Sequence, residues 1–167
     1  MRQQPVSRID VVLLTAFDEE FTFLKNVLGF AGMRVHRAES VEQADFLLLV
    51  TGAAVLLTDV AMVDCSWRCA LRLLRERHPL VSPIVIADPI DYPFLHDAFA
   101  LGACGVLWKP IEFTLASRMI WVAREASVER RLLRDEARMS FETAASRETQ
   151  RPSDICEIQG GKHSWEV

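Results

Sequence analysis

The sequence Ala-Val-Leu-Leu-Thr-Asp at residues 54–59 is a short apolar run that ends on a carboxylate. A run of this length without polar alternation is typical of a β-strand buried on both faces. Similar runs occupy residues 9–14 and 84–87. The three runs together predict a sheet of buried strands, with Asp59 at the end of one of them.

In the segments between these runs, apolar residues recur at helical spacing. Two more short strands are predicted at residues 33–37 and 104–108, and helices are expected to begin near Asp18, Ser40, Trp67, Tyr92 and Phe113. Asp18 is a candidate N-cap, and Ser40 with Gln43 forms a capping-box pattern. Five strands that alternate with five helices predict an α/β fold with a doubly wound parallel sheet and helices on both faces. The functional site of such a sheet is expected at the carboxyl ends of its strands.

Composition narrows the class of protein. The chain has 167 residues, half of them hydrophobic, so it can bury a core. Its formal charge of −4 gives no reason to expect binding to nucleic acid or to an anionic membrane. No apolar run approaches the ~20 residues that span a bilayer, and the N-terminus lacks the apolar stretch of a signal peptide. The four cysteines show no disulfide spacing. These features predict a cytoplasmic protein.

The chain divides into four predicted segments. Residues 1–7 form an N-terminal tail, residues 8–125 the domain, residues 126–140 a helical extension, and residues 141–167 a disordered tail. No Gly or Pro interrupts the chain between Ala116 and Met139. The extension is either a solvated arm or one strand of a coiled coil. We expect a homodimer through this helix or through the face of the fourth helix.

Two charged residues end neighbouring parts of the predicted sheet. Asp59 ends the third strand, and Lys109 ends the fifth, immediately before Pro110. A carboxylate and an ammonium in one crevice would form an ion pair or would bind a phosphoryl group between them. No glycine-rich phosphate loop follows the first strand, and no serine lies in a nucleophile motif. The sequence therefore predicts a protein that is not an enzyme.

These residues and their neighbours resemble the CheY-like receiver domain of two-component response regulators. The resemblance covers residues 8–125 and rests on the order and spacing of four segments, at residues 29–35, 55–60, 73–86 and 100–110. It implies a flavodoxin-like sheet with strand order 2-1-3-4-5. It also implies that Asp59 is the phosphoacceptor position for a histidine kinase, and that Lys109 is the phosphate-binding lysine.

The sequence departs from the receiver pattern at three places in the pocket. Thr15 and Ala16 stand where the family has two acidic residues that hold Mg²⁺, and neither replaces an anionic ligand of a hard cation. Asp88 stands in place of a Ser or Thr, where its carboxylate would repel a phosphoryl group and could also contact Lys109. Val106 stands in place of the family's switch aromatic.

The departures predict an atypical receiver, or pseudo-receiver, that acts in phosphorelay-type signalling through a protein partner or by dimerisation. It would need no cofactor. The alternative is a working phosphoacceptor, phosphorylated on Asp59 by a histidine kinase. In that case Mg²⁺ would be held by displaced ligands from the start of the first helix, where Asp18 and Glu19 are the candidates and Glu20 follows them.

Overall fold

The computed structural model describes residues 8–62 and 67–149. The strands are β1 (Ile9–Leu14), β2 (Met33–Ala38), β3 (Val55–Asp59), β4 (Ser82–Ala87) and β5 (Gly105–Trp108). The helices are α1 (Asp18–Phe30), α2 (Val41–Thr51), α3 (Trp67–Arg77), α4 (Leu95–Ala100) and α5 (Phe113–Thr149). The strands form one parallel sheet in the order β2-β1-β3-β4-β5. The predicted α/β fold class and strand order are confirmed.

Buried side chains fill both faces of the sheet. Alternate strand residues point to opposite faces, so Leu14 and Leu56 belong to a cluster with α2, α3 and α4, whereas Leu13 and Leu57 belong to a cluster with α1 and α5. All residues of β3 and β4 are buried. This two-sided burial explains why the strands are apolar runs without alternation, and it fixes Asp59 at the end of a buried strand.

The helix starts follow the predicted capping at α2 but not at α1. The Ser40 hydroxyl accepts a hydrogen bond from the Gln43 backbone N–H at 3.2 Å. Asp18 was the predicted cap of α1, but the N-cap residue is Phe17, and no side chain caps it. Asp18 is instead the first helical residue and binds Arg37 of β2. The prediction of an Asp18 cap is therefore wrong, because an arginine competes for its carboxylate.

The fourth helix is shorter than the sequence predicts. One helix was expected from Tyr92 to Leu101, but the structure has a 3-10 helix over Pro89–Phe94, followed by α4 from Leu95 to Ala100. Pro93 lies inside the 3-10 segment. Because proline has no backbone N–H to donate, it disfavours a continuous α-helix through this position.

Helix α5 continues beyond its predicted end. It runs to Thr149, so the prediction of a disordered tail from residue 141 is wrong for residues 141–149; residues 150–167 and 1–7 lie outside the described residues. The Ser140, Thr143 and Ser146 hydroxyls each donate to the carbonyl oxygen four residues earlier, at 2.8–2.9 Å. These bonds accommodate polar residues that suggested the end of the helix.

The chain divides into two compact units within α5, the first ending at Leu132 and the second beginning at Leu133. In the first unit, α5 is attached to the start of β4 and the residues before it. The Ser127 hydroxyl donates to the Leu80 carbonyl oxygen, and Arg130 donates to the Ser82 hydroxyl at 2.6 Å. Residues 133–149 of the second unit are helical, and residues 133–147 are exposed. Within the described ranges, none of the helices has the length and hydrophobicity needed to span a bilayer.

Candidate functional site

The site lies where β3 and β5 end. Asp59 is the last residue of β3 and is fully buried, and Lys109 directly follows β5. Strand β4 lies between these strands, with Ile86 in register with Asp59 and Ala87 in register with Trp108. Lys109 Nζ lies 2.5 Å from Asp59 Oδ2. The two residues form the ion pair that the sequence predicts, at the carboxyl edge of the sheet.

A second acid contacts the same ammonium group. Glu20, in the first turn of α1, has its Oε2 atom 2.7 Å from Lys109 Nζ, and 9% of its side chain is exposed. Its other carboxylate oxygen, Oε1, is buried and has no hydrogen-bond partner in the described part of the chain. The Phe17 ring covers Lys109, with Nζ 5.6 Å from the ring centre. Lys109 therefore bridges two carboxyl groups beneath an aromatic ring.

In the folded protein, the pKa of Glu20 is raised and the pKa of Asp59 is lowered from their usual values. Burial, together with the neighbouring Asp59, raises the pKa of Glu20 to about 7. Burial alone would raise the pKa of Asp59, but the neighbouring Glu20 carboxyl group, the Lys109 ammonium and the Ala61 N–H, which donates at 2.7 Å, lower it below its usual range. Burial would lower the pKa of Lys109, yet its bonds to both acids raise it. The site thus holds a charged Asp59–Lys109 pair beside a Glu20 carboxyl whose pKa is raised toward neutrality.

The other predicted pocket residues make contacts with different partners. The buried Thr15 hydroxyl accepts a hydrogen bond from the Phe17 N–H at 3.2 Å, and the Ala16 carbonyl oxygen accepts one from Arg37 at 3.3 Å. Asp18 binds Arg37, and Glu19 is exposed. The α1 acid that reaches Asp59 is therefore Glu20, rather than the predicted Asp18 or Glu19.

The helical periodicity of α1 identifies Glu20 as the acid that faces the sheet. Leu24 and Leu28 are the buried residues of α1, and Glu20 lies four residues before Leu24 on the same stripe. Residues four apart share one face of a helix, so Glu20 faces the sheet, whereas Asp18 and Glu19 face away from it. Glu20 thus reaches Lys109 from its place in the first turn of α1.

Asp88 directly follows β4 and is exposed. The contact of its carboxylate with Lys109 stays a prediction, and Glu20 provides a second carboxyl group at Lys109. Val106 is buried within β5.

The arrangement does not fit the magnesium ion that receiver pockets hold. Mg²⁺ requires an octahedral set of oxygen ligands and is usually bound through one or two carboxylates. Here the Lys109 ammonium binds Asp59 and Glu20, and Thr15 and Ala16 offer no anionic ligand. Among residues 8–62 and 67–149, no group of three or more His, Cys, Asp or Glu side chains could hold a metal ion.

Several solved structures of receiver domains have the same fold. The signal receiver domain of an HD domain-containing protein from Pseudomonas fluorescens has 17% identity and a TM-score of 0.67 over 73% of this chain and 98% of its own. A response regulator receiver domain protein from Clostridium thermocellum has 21% identity and a TM-score of 0.65, over 75% and 98%. The receiver domain of a putative Luxo repressor protein from Vibrio parahaemolyticus has 15% identity and a TM-score of 0.68, over 75% and 97%.

No protein-family model matches the sequence, and no curated protein matches it. The similarity to the solved structures shows that the chain has the fold of response-regulator receiver domains.

Proposed function

We propose that this chain is an atypical receiver-type module that takes part in phosphorelay-type signal transduction through protein–protein contacts. In this proposal it is not a catalyst, and Asp59 is not an efficient phosphoacceptor. The observation that carries the proposal is the bridge that Lys109 makes between Asp59 and Glu20. The receiver fold supports a role in signalling, and the altered pocket supports a mode of action that does not depend on phosphotransfer.

The charge balance of the pocket disfavours an aspartyl phosphate. Phosphorylation of Asp59 would place additional negative charge beside Glu20 in a buried site, where like charges repel strongly. Phosphoryl transfer depends on cations that neutralise the developing charge. Lys109 is shared with Glu20, and the positions of the acidic metal ligands hold Thr15 and Ala16.

The alternative is a working phosphoacceptor that uses unusual metal ligands, with a histidine kinase as its partner. One observation favours it: Glu20 brings a second carboxyl group to Asp59 without any change of the backbone. For this alternative to hold, Lys109 would have to release Glu20. Acetyl phosphate with Mg²⁺ tests both readings through the intact mass of the protein, and the Asp59→Asn variant is the control. The proposal expects no phosphoryl adduct on Asp59, whereas the alternative expects one.

Contacts between copies are part of the proposal. Trp121 and Val122 of α5 are 44% and 69% exposed. Apolar side chains on an exposed helix face favour association, and we propose a homodimer through α5. A cytoplasmic location stays a prediction from the sequence.

A further inference from the structure

A basic cleft lies at the opposite end of the sheet from Asp59. It is formed where α1 ends and β2 begins, and it has a volume of about 400 Å³. We define the basic cleft by its eight lining residues, which include three cations and no acid: Arg8, Lys25, Gly29, Phe30, Gly32, Met33, Arg34 and Val35.

The cations of the basic cleft are not neutralised by the described protein. In residues 8–62 and 67–149, no ion pair involves Arg8, Lys25 or Arg34, and all three residues are exposed. Lys25 contacts the Phe21 ring, with its Nζ 5.7 Å from the ring centre. Residues 1–7, which precede Arg8, contain no Asp or Glu in their sequence. Among the described residues, this positive charge is therefore not used in an ion pair, although the chain as a whole carries −4.

An aromatic side chain stands at the rim of the basic cleft. Phe30 is 90% exposed, the most exposed of the large hydrophobic residues in the described ranges. The chain leaves α1 directly after Phe30 and turns at Gly32, which has a positive φ of 77°. A Cβ atom added at Gly29 or at Gly32 would meet nothing within 4 Å. The cleft thus has open space between its cations and an apolar surface that a ligand could cover.

We infer that the basic cleft docks an acidic peptide segment of a partner protein, with carboxylates on Arg8, Lys25 and Arg34 and an apolar side chain on Phe30. Charge complementarity supports an anionic occupant. A peptide fits better than nucleic acid, because a single nucleic-acid strand follows an extended basic groove with successive aromatic platforms. The basic cleft has three cations and one exposed ring. The inference does not depend on whether Asp59 is phosphorylated.

The test is fluorescence anisotropy with the full chain. The probe is a labelled ten-residue peptide library in which Asp and Glu surround one central Leu or Phe. A library with Asn and Gln in place of the acids and a ten-nucleotide single-stranded RNA are the comparison probes. We expect saturable binding of the acidic library alone, which weakens as salt is raised from ~50 to ~300 mM because exposed charges are screened.

Substitutions identify the surface. Lys25→Glu should weaken binding of the acidic library by about tenfold, since it replaces an attraction by a repulsion. Phe30→Ser should weaken it by about fivefold through lost apolar contact. Arg72→Glu, at an exposed position of α3, is the matched control for the change of charge and should leave binding unchanged. Because all three side chains are exposed, circular dichroism should show wild-type folding.

Three results would overturn the inference. The first is no saturable binding of the acidic library. The second is equal weakening by Lys25→Glu and Arg72→Glu, which would place binding outside the basic cleft. The third is preferential binding of the RNA, which would assign the cleft to nucleic acid.

Discussion

Glu20 of α1 and Lys109 after β5 are joined by an ion pair of 2.7 Å between Oε2 and Nζ. The pair places an acid from inside a helix against the lysine that also holds Asp59. Two carboxyl groups and one ammonium leave an excess negative charge in a buried site, and a proton on Glu20 relieves it.

Removal of Lys109 should destabilise the fold. Lys109→Met leaves two buried carboxyl groups without their cation. We expect the free energy of unfolding to fall by about 2–3 kcal/mol. This loss is smaller than that for a fully buried ion pair, because Lys109 is partly exposed. Urea denaturation measures the loss. Adding Glu20→Gln to Lys109→Met should recover at least about 1 kcal/mol, because it removes one of the unpaired charges. Equal stability of the single and double variants would contradict the shared ion network.

The stability should depend on pH through Glu20. Its pKa is 4.5 in an unfolded chain and about 7 in the fold, so the contribution of protonated Glu20 is fully present below pH 4.5 and is lost as the pH rises through about 7. From about pH 5.5 to about pH 8, the wild type should lose roughly 1–2 kcal/mol relative to Glu20→Gln. Urea denaturation of both proteins at the two pH values measures this difference.

The contribution of Asp59 to the stability of the fold changes with pH in the opposite direction to that of Glu20. Its lowered pKa gives a contribution that is present above its unfolded value of 3.8 and is lost as the pH falls through its folded value. This loss therefore lies below the range in which Glu20 titrates. Parallel pH profiles of the wild type and Glu20→Gln between about pH 5.5 and about pH 8 would contradict the assignment to Glu20.

Self-association should depend on the exposed apolar face of α5. Analytical ultracentrifugation should show a concentration-dependent dimer for the full chain. Val122→Glu should shift the equilibrium to the monomer, because Val122 is 69% exposed and a buried interface charge is unfavourable. Arg72→Glu should sediment like the wild type. A wild-type monomer at all concentrations would contradict the proposed dimer.

The attachment of α5 should depend on a buried hydroxyl. Ser127 is fully buried and donates to the Leu80 carbonyl oxygen, so Ser127→Ala should cost about 1–2 kcal/mol of unfolding free energy. Ser140→Ala is the control, since the exposed Ser140 hydroxyl bonds only within its own helix. Chemical denaturation compares the two variants, and equal losses would contradict a specific role for Ser127.

The fold was predictable because its strands are buried on both faces. Residues 54–59 and 84–87 are apolar runs since β3 and β4 lie between two layers of helices. The strand order came from the resemblance to receiver domains, because no local pattern specifies which strands are neighbours. The Asp59–Lys109 pair was also predictable, as both residues end strands of one parallel sheet.

The rest of the site depends on helix orientation and on competing partners. Asp18, Glu19 and Glu20 are consecutive acids, and only their rotation around α1 decides which of them faces Asp59. Arg37 of β2 binds Asp18 of α1, a contact that the local sequence does not reveal. The length of α5 was underestimated because Ser140 and its polar neighbours suggest a helix end, whereas their hydroxyls bond to the helix itself.

The most direct test of the central claim is the intact mass of the protein after incubation with acetyl phosphate and Mg²⁺. The variants are Asp59→Asn and the triple substitution Thr15→Asp, Ala16→Asp and Glu20→Ala, which restores the two acids and frees Lys109. We predict no phosphoryl adduct on the wild type or on Asp59→Asn, and one adduct on the triple variant. One phosphoryl group on the folded wild type, absent from Asp59→Asn, would contradict the account and identify a working receiver.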